Sequence, residues 1–480
     1  MPVAPYSPGL FETCKQIHAF LSAGQQQASE QQQTKLANIS LSLDALAKPL
    51  PESIAPSSYN PLPPWRILEA LGQPRQIHFC YSAADCKMVA LGQVVMGQAT
   101  GLSRFARIQQ FIEVWRNRTT CYAPHLTGGR PHFFCGFTFF DEAENFDPAQ
   151  AFVPRLQVTC QTDQTTVSFN CLIDDAVNVT AIVEDLNRQL QKLLALATST
   201  AAATPPHRPS QKVDRDLGDF KRSVGDALKI IQQQPLRKVV LADAIEVLAS
   251  VPFQVAASLR SLAQQYPNCH VFSFSNGSGQ TFLGASPERL LSIRDGELLT
   301  DALAGSAPRG GTTEQDTQLA EQLQTSQKER YEHQIVVDFI AQQLRSLGLT
   351  PSYSRCPTVR QLANIQHLHT PIQAHLKQAI EPLTILERLH PTPAVAGLPR
   401  AAACDLIRQS ESFDRELYAA PLGWIDTAGN SNFIVGIRSA LLNGRQARLY
   451  AGAGIVAQSN PEKELAEVRL KLQAMLSSLM

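Results

Sequence analysis

The segment YAGAGIVAQSNP, residues 450–461, decides which kind of α/β protein this chain can be. Its Gly452-x-Gly454-x-x-Ala457 spacing formally matches a dinucleotide-binding fingerprint set between a strand and a helix. That fingerprint belongs to a βαβ unit of about 30 residues, with an acidic residue roughly 20 positions further on at the end of the second strand. Of the 480 residues only 26 follow Gly454, room for one helix and no returning strand. A parallel, NAD-binding sheet is therefore not expected. The glycines fit better as places where backbone amides approach an anionic substrate. Asn460 before Pro461 reads as an N-cap followed by proline at the first helical position, so a final helix is predicted from Pro461.

Working outward from that strand and helix, strand-like runs precede it at 448–451, 433–438, 289–293, 281–283 and 270–274. KVVLADAIEVL (238–248) has the continuous apolar character of a buried strand, and 220–232 is amphipathic at helical spacing. A long helix is predicted over roughly 314–347, apolar at Leu319, Leu323, Ile335, Val336, Phe339, Ile340 and Leu344. Nearer the N-terminus, 76–81, 88–96 and 133–140 read as strands and 186–196 as a helix. GQQQASEQQQTK (24–35), the five prolines of 50–64, and ATSTAAATPPHRPSQ (197–211) read as connectors. The coarse class is mixed α/β (α+β) with long antiparallel-type strands.

Composition limits the function. The chain is long enough for about three domains, or one large domain with an appendage. Lys+Arg and Asp+Glu both number 42, so no basic excess speaks for nucleic acid. No apolar run reaches the roughly 18 residues of a membrane span. The first residues lack a secretory pattern, and Glu12 and Glu30 fit poorly with a transit peptide. The 10 cysteines are scattered without CxxC spacing, as expected of free thiols in a reducing cytoplasm.

Several side chains could carry chemistry. Glu329 and Glu332 on the long helix, and Glu464 and Glu467 on the last, are each spaced i, i+3 on one face, with Lys471 one turn beyond. If the two faces met, four carboxylates would need a cation, and Mg²⁺ suits carboxylate and water oxygens completed by a substrate. The alternative is solvated faces carrying Lys328–Glu332 and Glu467–Lys471 salt bridges. Lys238, opening a buried strand, could be a general base, or it could snorkel to the surface. Glu288 in GASPERL could stay protonated as an acid in a partly apolar site, or be a plain exposed turn residue. His367, His369, His375 and His390 are dense, but no zinc spacing accompanies them.

In order along the chain, these segments resemble the chorismate-utilising enzymes, specifically the isochorismate synthases. The likeness is carried by LRKVVLADAIEV (236–247), FLGASPERLL (282–291), DALAGSAPRG (301–310), SQKERYEHQIVV (326–337) and IQHLHT (365–370). It continues through LHPTPAVAGLP (389–399), ESFDRELYAAPLGW (411–424), NFIVGIRSAL (432–441) and LYAGAGIVAQSNPEKELAEVRLKL (449–472). Before residue 210 it is limited to patches such as RPHFFCGFTFFD (130–141). LHPTPAVAG and FDRELYAAPLGW are most similar to synthases of menaquinone and phylloquinone pathways.

The resemblance implies two large antiparallel β-sheets packed face to face with helices outside. Residues 1–65 would be a variable extension, 66–196 the N-terminal part of the sandwich, 197–212 a linker and 213–480 the chorismate-binding catalytic region. It implies Mg²⁺ held by Glu332 and Glu467, with Glu329 and Glu464 in the outer shell. Arg438, Lys471 and the backbone near Gly452 and Gly454 would hold the enolpyruvyl carboxylate, and Gly305, His367, Ala394 and Tyr418 would line the ring pocket. Lys238 would deprotonate the water attacking C2, and Glu288 would protonate the departing C4 hydroxyl. That exchange needs a neutral lysine and a protonated glutamate at one pH. Amine-using relatives typically carry glutamine at the position of Lys238, and aminodeoxychorismate synthases a nucleophilic lysine at that of Ala304, so both positions favour water as nucleophile. Salicylate synthases share Lys238. A monomer without an amidotransferase subunit, nucleic acid or membrane as partner is expected. A catalytically inactive chorismate-binding homologue is the alternative outside enzymes.

Overall fold

The structure is a computed structural model that describes residues 8–47, 62–123, 126, 129–161, 164–198, 211–216, 219–233, 235–376 and 380–479. The described strands form two sheets, one of 13 strands and one of 10. In the C-terminal half of the chain the larger sheet runs Lys238–Ala249, Gln446–Ile455, Ser439–Asn443, Gln280–Ser286, His270–Ser275. It continues through His78–Ser82, Cys86–Leu91, Leu156–Gln161 and Gln164–Ile173 to Lys35–Ser42 and Thr119–Tyr122. The smaller sheet carries Ile365–His375, Glu297–Pro308, Arg289–Arg294, Ser431–Val435, Pro421–Asp426, His132–Phe137, Ala149–Val153 and Val95–Ala99 as neighbours. Pairing is antiparallel except between Lys35–Ser42 and Thr119–Tyr122, which run parallel. The expected pair of large antiparallel sheets is thus present.

The sheets meet through aromatic side chains. Phe79 of the larger sheet lies 5.1 Å from Phe134 of the smaller, centroid to centroid, and Phe152 lies 6.1 Å from Phe274. Gly136 leaves room for that packing, since a Cβ there would stand 3.1 Å from Phe274 Cζ. Helices cover the outer faces: Phe220–Gln233 and Pro461–Leu479 lie on the larger sheet, and Gln327–Ser346 on Glu297–Pro308 of the smaller. With both faces covered, Lys238–Ala249 is buried along nearly its whole length, which is why its sequence reads as an unbroken apolar run.

Four local readings change. The long helix is two, Thr313–Thr325 and Gln327–Ser346, because the Ser326 hydroxyl accepts from Glu329 N and starts a new helix. Ser326-x-x-Glu329 is a capping-box pattern, so the break was signalled. The Gln-rich segment 24–35 is only in part a connector: helix Pro8–Glu30 takes up its first seven residues, a turn follows over 31–34, and Lys35–Ser42 then enters the larger sheet, inside the segment expected to be an extension. Glutamine and alanine are good helix formers, and Gln25 anchors the helix by donating to the Asp175 and Val177 carbonyls at 3.1 and 3.0 Å. The run 88–96 divides into Cys86–Leu91 and Val95–Ala99, which belong to different sheets. Gly92, at φ 67°, turns the chain between them. The run 433–438 stops as a strand at Val435, short of Arg438. Residues 50–61 of the proline-rich connector and 199–210 of the linker lie outside the described residues.

Candidate active site

One cleft opens where Lys238–Ala249 and Gln446–Ile455 face Glu297–Pro308 beneath the first turns of Gln327–Ser346 and Pro461–Leu479. It holds about 790 Å³ of space free of protein atoms, its open mouth included. Of the residues singled out from sequence, Glu288, Gly305, Glu329, Glu332, His367, Ala394, Tyr418, Arg438, Gly452, Gly454, Glu464, Glu467 and Lys471 all line it. Lys238 stands just behind the wall, fully buried, with its Nζ 3.0 Å from Glu332 Oε1. That contact is close but poorly aligned, and Nζ has no satisfied hydrogen bond. Between Lys238 and the cleft is Gly454. A Cβ there would fall 2.3 Å from Glu332 Oε1 and 3.0 Å from Lys238 Cε. Glycine at 454 is thus what lets the lysine, the glutamate and the cleft share one small space.

The two carboxylate pairs do converge, because the N-terminal turns of two helices point into the same mouth. They are met by lysines. Lys328 Nζ reaches Glu464 Oε1 at 2.9 Å and Glu329 Oε1 at 3.4 Å, and Lys471 Nζ reaches Glu467 Oε1 at 2.6 Å. The expected Glu467–Lys471 bridge is therefore present, whereas Lys328 joins the two helices instead of pairing with Glu332 along its own. Burial raises the Glu329 and Glu464 carboxyls above the usual range, and neighbouring carboxylates add to it, against the opposing pull of Lys328. Burial also acts to raise Glu467, but the charge and hydrogen bond of Lys471 outweigh it and hold that carboxyl low. Among the described residues no three acidic, histidine or cysteine side chains come close enough, as they stand, to hold an ion.

Opposite the carboxylates, Arg438 is fixed by His367. The residue has φ 52°, a left-handed turn that ends the approach from Ser431–Val435 and turns the side chain into the cleft. Its Nη2 lies 3.1 Å from His367 Nε2, while His367 Nδ1 lies 3.0 Å from Ser306 Oγ and 3.3 Å from Gly305 O. A guanidinium only donates, so Nε2 must accept and Nδ1 must carry the proton, which makes the ring neutral. Burial, then the charges of Arg438 and Lys471, lower His367 to about 3, in agreement. Lys471 also donates to Gly452 O at 2.8 Å. Gly305, at φ 77°, packs its backbone against Glu329, where a Cβ would meet the Glu329 carbonyl at 3.1 Å. Tyr418 is buried, stacked on Tyr450 at 5.2 Å, with its hydroxyl over Gly452. Ala394 and Ala304 add small, apolar wall.

Glu288 is buried at the entry of Arg289–Arg294, and is not an exposed turn residue. Burial, then the negative charge of Asp301, raise its carboxyl to about 8, against the opposing pull of Lys238 and Arg360.

Sequence reasoning missed Ser306, which orients His367 by its hydroxyl and donates its N–H to Glu329 Oε2 at 2.9 Å. It also missed Arg415, fully buried in a two-bond pair with Glu411 and donating to the Val240 and Val395 carbonyls at 2.8 Å each. This clamp ties the Lys238 strand to the Ala394 loop. Its signal is an i, i+4 Glu–Arg pair inside ESFDRELY, which sequence alone cannot tell from a surface pair. The four histidines separate: His369 pairs with Asp301, His375 with Glu297 at the surface, and His390 with the Phe139 carbonyl.

Residues 53–480 match the family model described as "Chorismate binding enzyme". The "Salicylate biosynthesis isochorismate synthase" of Pseudomonas aeruginosa is 35% identical over 437 residues, 88% of each chain. "Isochorismate synthase MenF" of Bacillus subtilis is 31% identical over 422 residues, 82% of this chain and 86% of that one. Among solved structures, the menaquinone-specific isochorismate synthase of Escherichia coli superimposes with a TM-score of 0.73 at 26% identity, covering 93% of this chain and 95% of the other.

Proposed function

This chain belongs to the chorismate-binding enzyme family, and from that we infer that it is an isochorismate synthase, interconverting chorismate and isochorismate. The observation that carries the reading is that a fully buried lysine and a buried carboxyl raised to about 8 stand at one cleft, Lys238 opening a strand of the larger sheet and Glu288 in the short connection that leads from the larger sheet to the smaller. Such a pair suits an allylic exchange of one hydroxyl for another. In the assignment proposed here, Lys238 takes a proton from water as its oxygen bonds to ring C2. The double bonds shift, the C4–O bond breaks, and Glu288 gives its proton to the departing hydroxyl. Turnover leaves the lysine one proton richer and the glutamate one poorer, and water in the cleft returns both to their starting forms. Arg438, oriented by neutral His367, and Lys471 would receive the enolpyruvyl carboxylate.

Mg²⁺ is the proposed cofactor. The donor set fits it, because four hard carboxylate side chains line one mouth. Glu332 and Glu467 would hold the ion, with Glu329 and Glu464 behind, and bound there it would supply positive charge to the ring carboxylate. The product would feed menaquinone or phylloquinone synthesis, which the likeness to the menaquinone-specific synthase of Escherichia coli supports. No described helix is long and apolar enough to cross a membrane. A cytoplasmic monomer is proposed, working without an amidotransferase subunit because water is the nucleophile in this reading.

Chromatography of products from pure protein and chorismate, with Mg²⁺ and then with EDTA, tests the reading. Isochorismate approaching a fixed ratio with chorismate, abolished by EDTA, is expected. Salicylate with stoichiometric pyruvate would make it a salicylate synthase. Thermal stabilisation by chorismate without turnover would make it a binding homologue.

A further inference from the structure

The strand that begins with Lys238 is paired unevenly along its two edges. On one edge Gln446–Ile455 pairs with it continuously, from Val239 to Leu248. On the other, Gly397–Leu398 pairs with Lys238 and Val239, and Gln211–Asp216 joins only from Ile245 onward. Among the described residues no strand faces 240–244 on that edge, although this stretch is buried. Buried backbone groups there need other partners.

A side-chain ion pair supplies them. Ala242 N donates to Glu411 Oε1 at 2.8 Å, and Val240 O accepts from Arg415 Nη2 at 2.8 Å. Glu411 thus provides the acceptor, and Arg415 the donor, that a neighbouring strand would offer. The two lock each other: Arg415 Nε meets Glu411 Oε2 at 2.8 Å, and Nη2 meets Oε1 at 2.5 Å. The same guanidinium donates through Nη1 to Val395 O at 2.8 Å, and the Arg415 carbonyl accepts from Tyr418 N at 2.7 Å. Val240, Val395 and Tyr418 all line the cleft, so one buried arginine fixes three parts of its wall.

Lys238 depends on this edge more than an ordinary side chain would. It lies two residues before Val240, on the same face of the strand. Its Nζ has no satisfied hydrogen bond, so the path of the strand, and not bonding at the tip, sets where the amine stands.

We propose that Glu411 and Arg415 are positioning residues for Lys238, standing in for the missing stretch of strand so that the amine is held at the cleft. This rests on the reading of Lys238 as the base. Lysine at 415 would keep the charge but lose the planar fork that reaches two carbonyls and a carboxylate together. Glutamine at 411 would keep the size but could not accept both guanidinium bonds and the Ala242 N–H.

The test is a double-mutant cycle in the full chain, measuring chorismate turnover well below the thermal midpoint of every variant. Arg415→Lys and Glu411→Gln should each lose about 10²-fold in kcat, with KM changing by less than about threefold. Added to Lys238→Ala, either change should cost less than about threefold more, because its effect passes through the lysine. Clamp variants that lower the thermal midpoint but keep native kcat would overturn the proposal, since that is the result of a merely structural role. Losses that multiply in the double variants would overturn it too, while leaving Lys238 as the base. Should Arg415→Lys not fold, Glu411→Gln decides alone by the same two criteria. Near-native rates in Lys238→Ala, or a wild type that leaves chorismate unchanged, would remove the base reading and this proposal together.

Discussion

Replacing Glu288 by glutamine should make the protein relatively more stable in alkali. The carboxyl ionises near 4.5 in the unfolded chain and near 8 when folded. Between those values the folded state holds a proton that the unfolded state has released. Stability from this group is therefore complete below the lower value and is lost as pH rises toward the upper one. The separation corresponds to about 5 kcal/mol, and at 2% exposure little of it is screened away. Glutamine has no proton to lose, so Glu288→Gln should lack this slope. For a chain of 480 residues the unfolding entropy is about 1 kcal/mol per degree, so the difference amounts to roughly 5 °C. The assay is the thermal midpoint of both proteins, at one scan rate, from about pH 5 to about pH 9. Taking the difference removes every other titrating group common to both. The wild-type midpoint should fall toward or below that of the variant as pH rises. Parallel curves would refute the buried, proton-bearing Glu288, and with it the acid assignment. Wild-type turnover should decline above about pH 8, since the acid must carry its proton.

Three further outcomes are expected. Lys238→Ala should lose about 10²-fold or more in turnover while chorismate still raises its thermal midpoint; near-native rates would discard the base assignment. Gly454→Ala puts a methyl group 2.3 Å from Glu332 Oε1 and should cost on the order of 10²-fold in kcat/KM with little change in circular dichroism, because the pair behind it must move. Glu467→Gln should raise the Mg²⁺ concentration for half-maximal turnover by at least about tenfold, and an unchanged requirement would remove Glu467 from the ion's ligands.

Element types were legible where one period dominated. The buried run of Lys238–Ala249 and the Asn460-Pro461 helix start needed no tertiary knowledge, because burial on both faces and a capped first turn leave direct marks in sequence. The break at Ser326 was written in its capping box but hidden by apolar residues on either side. Gly92 gave a turn but not the fact that the strands it joins belong to different sheets, since sheet membership is a long-range choice.

The cleft divides in the same way. The ordered motifs determined the family, the glutamate pairs on single helix faces, and Lys238 and Glu288 as the groups to watch, because covalent order and helical spacing are local properties. Only the tertiary structure decided which lysine meets which carboxylate, that Lys328 spans two helices, that His367 is a neutral orienter of Arg438, and that Glu288 is buried with its carboxyl raised. Those facts depend on burial and on distances between segments far apart in the chain. A charge acquires its strength from the dielectric and the partners that folding puts around it.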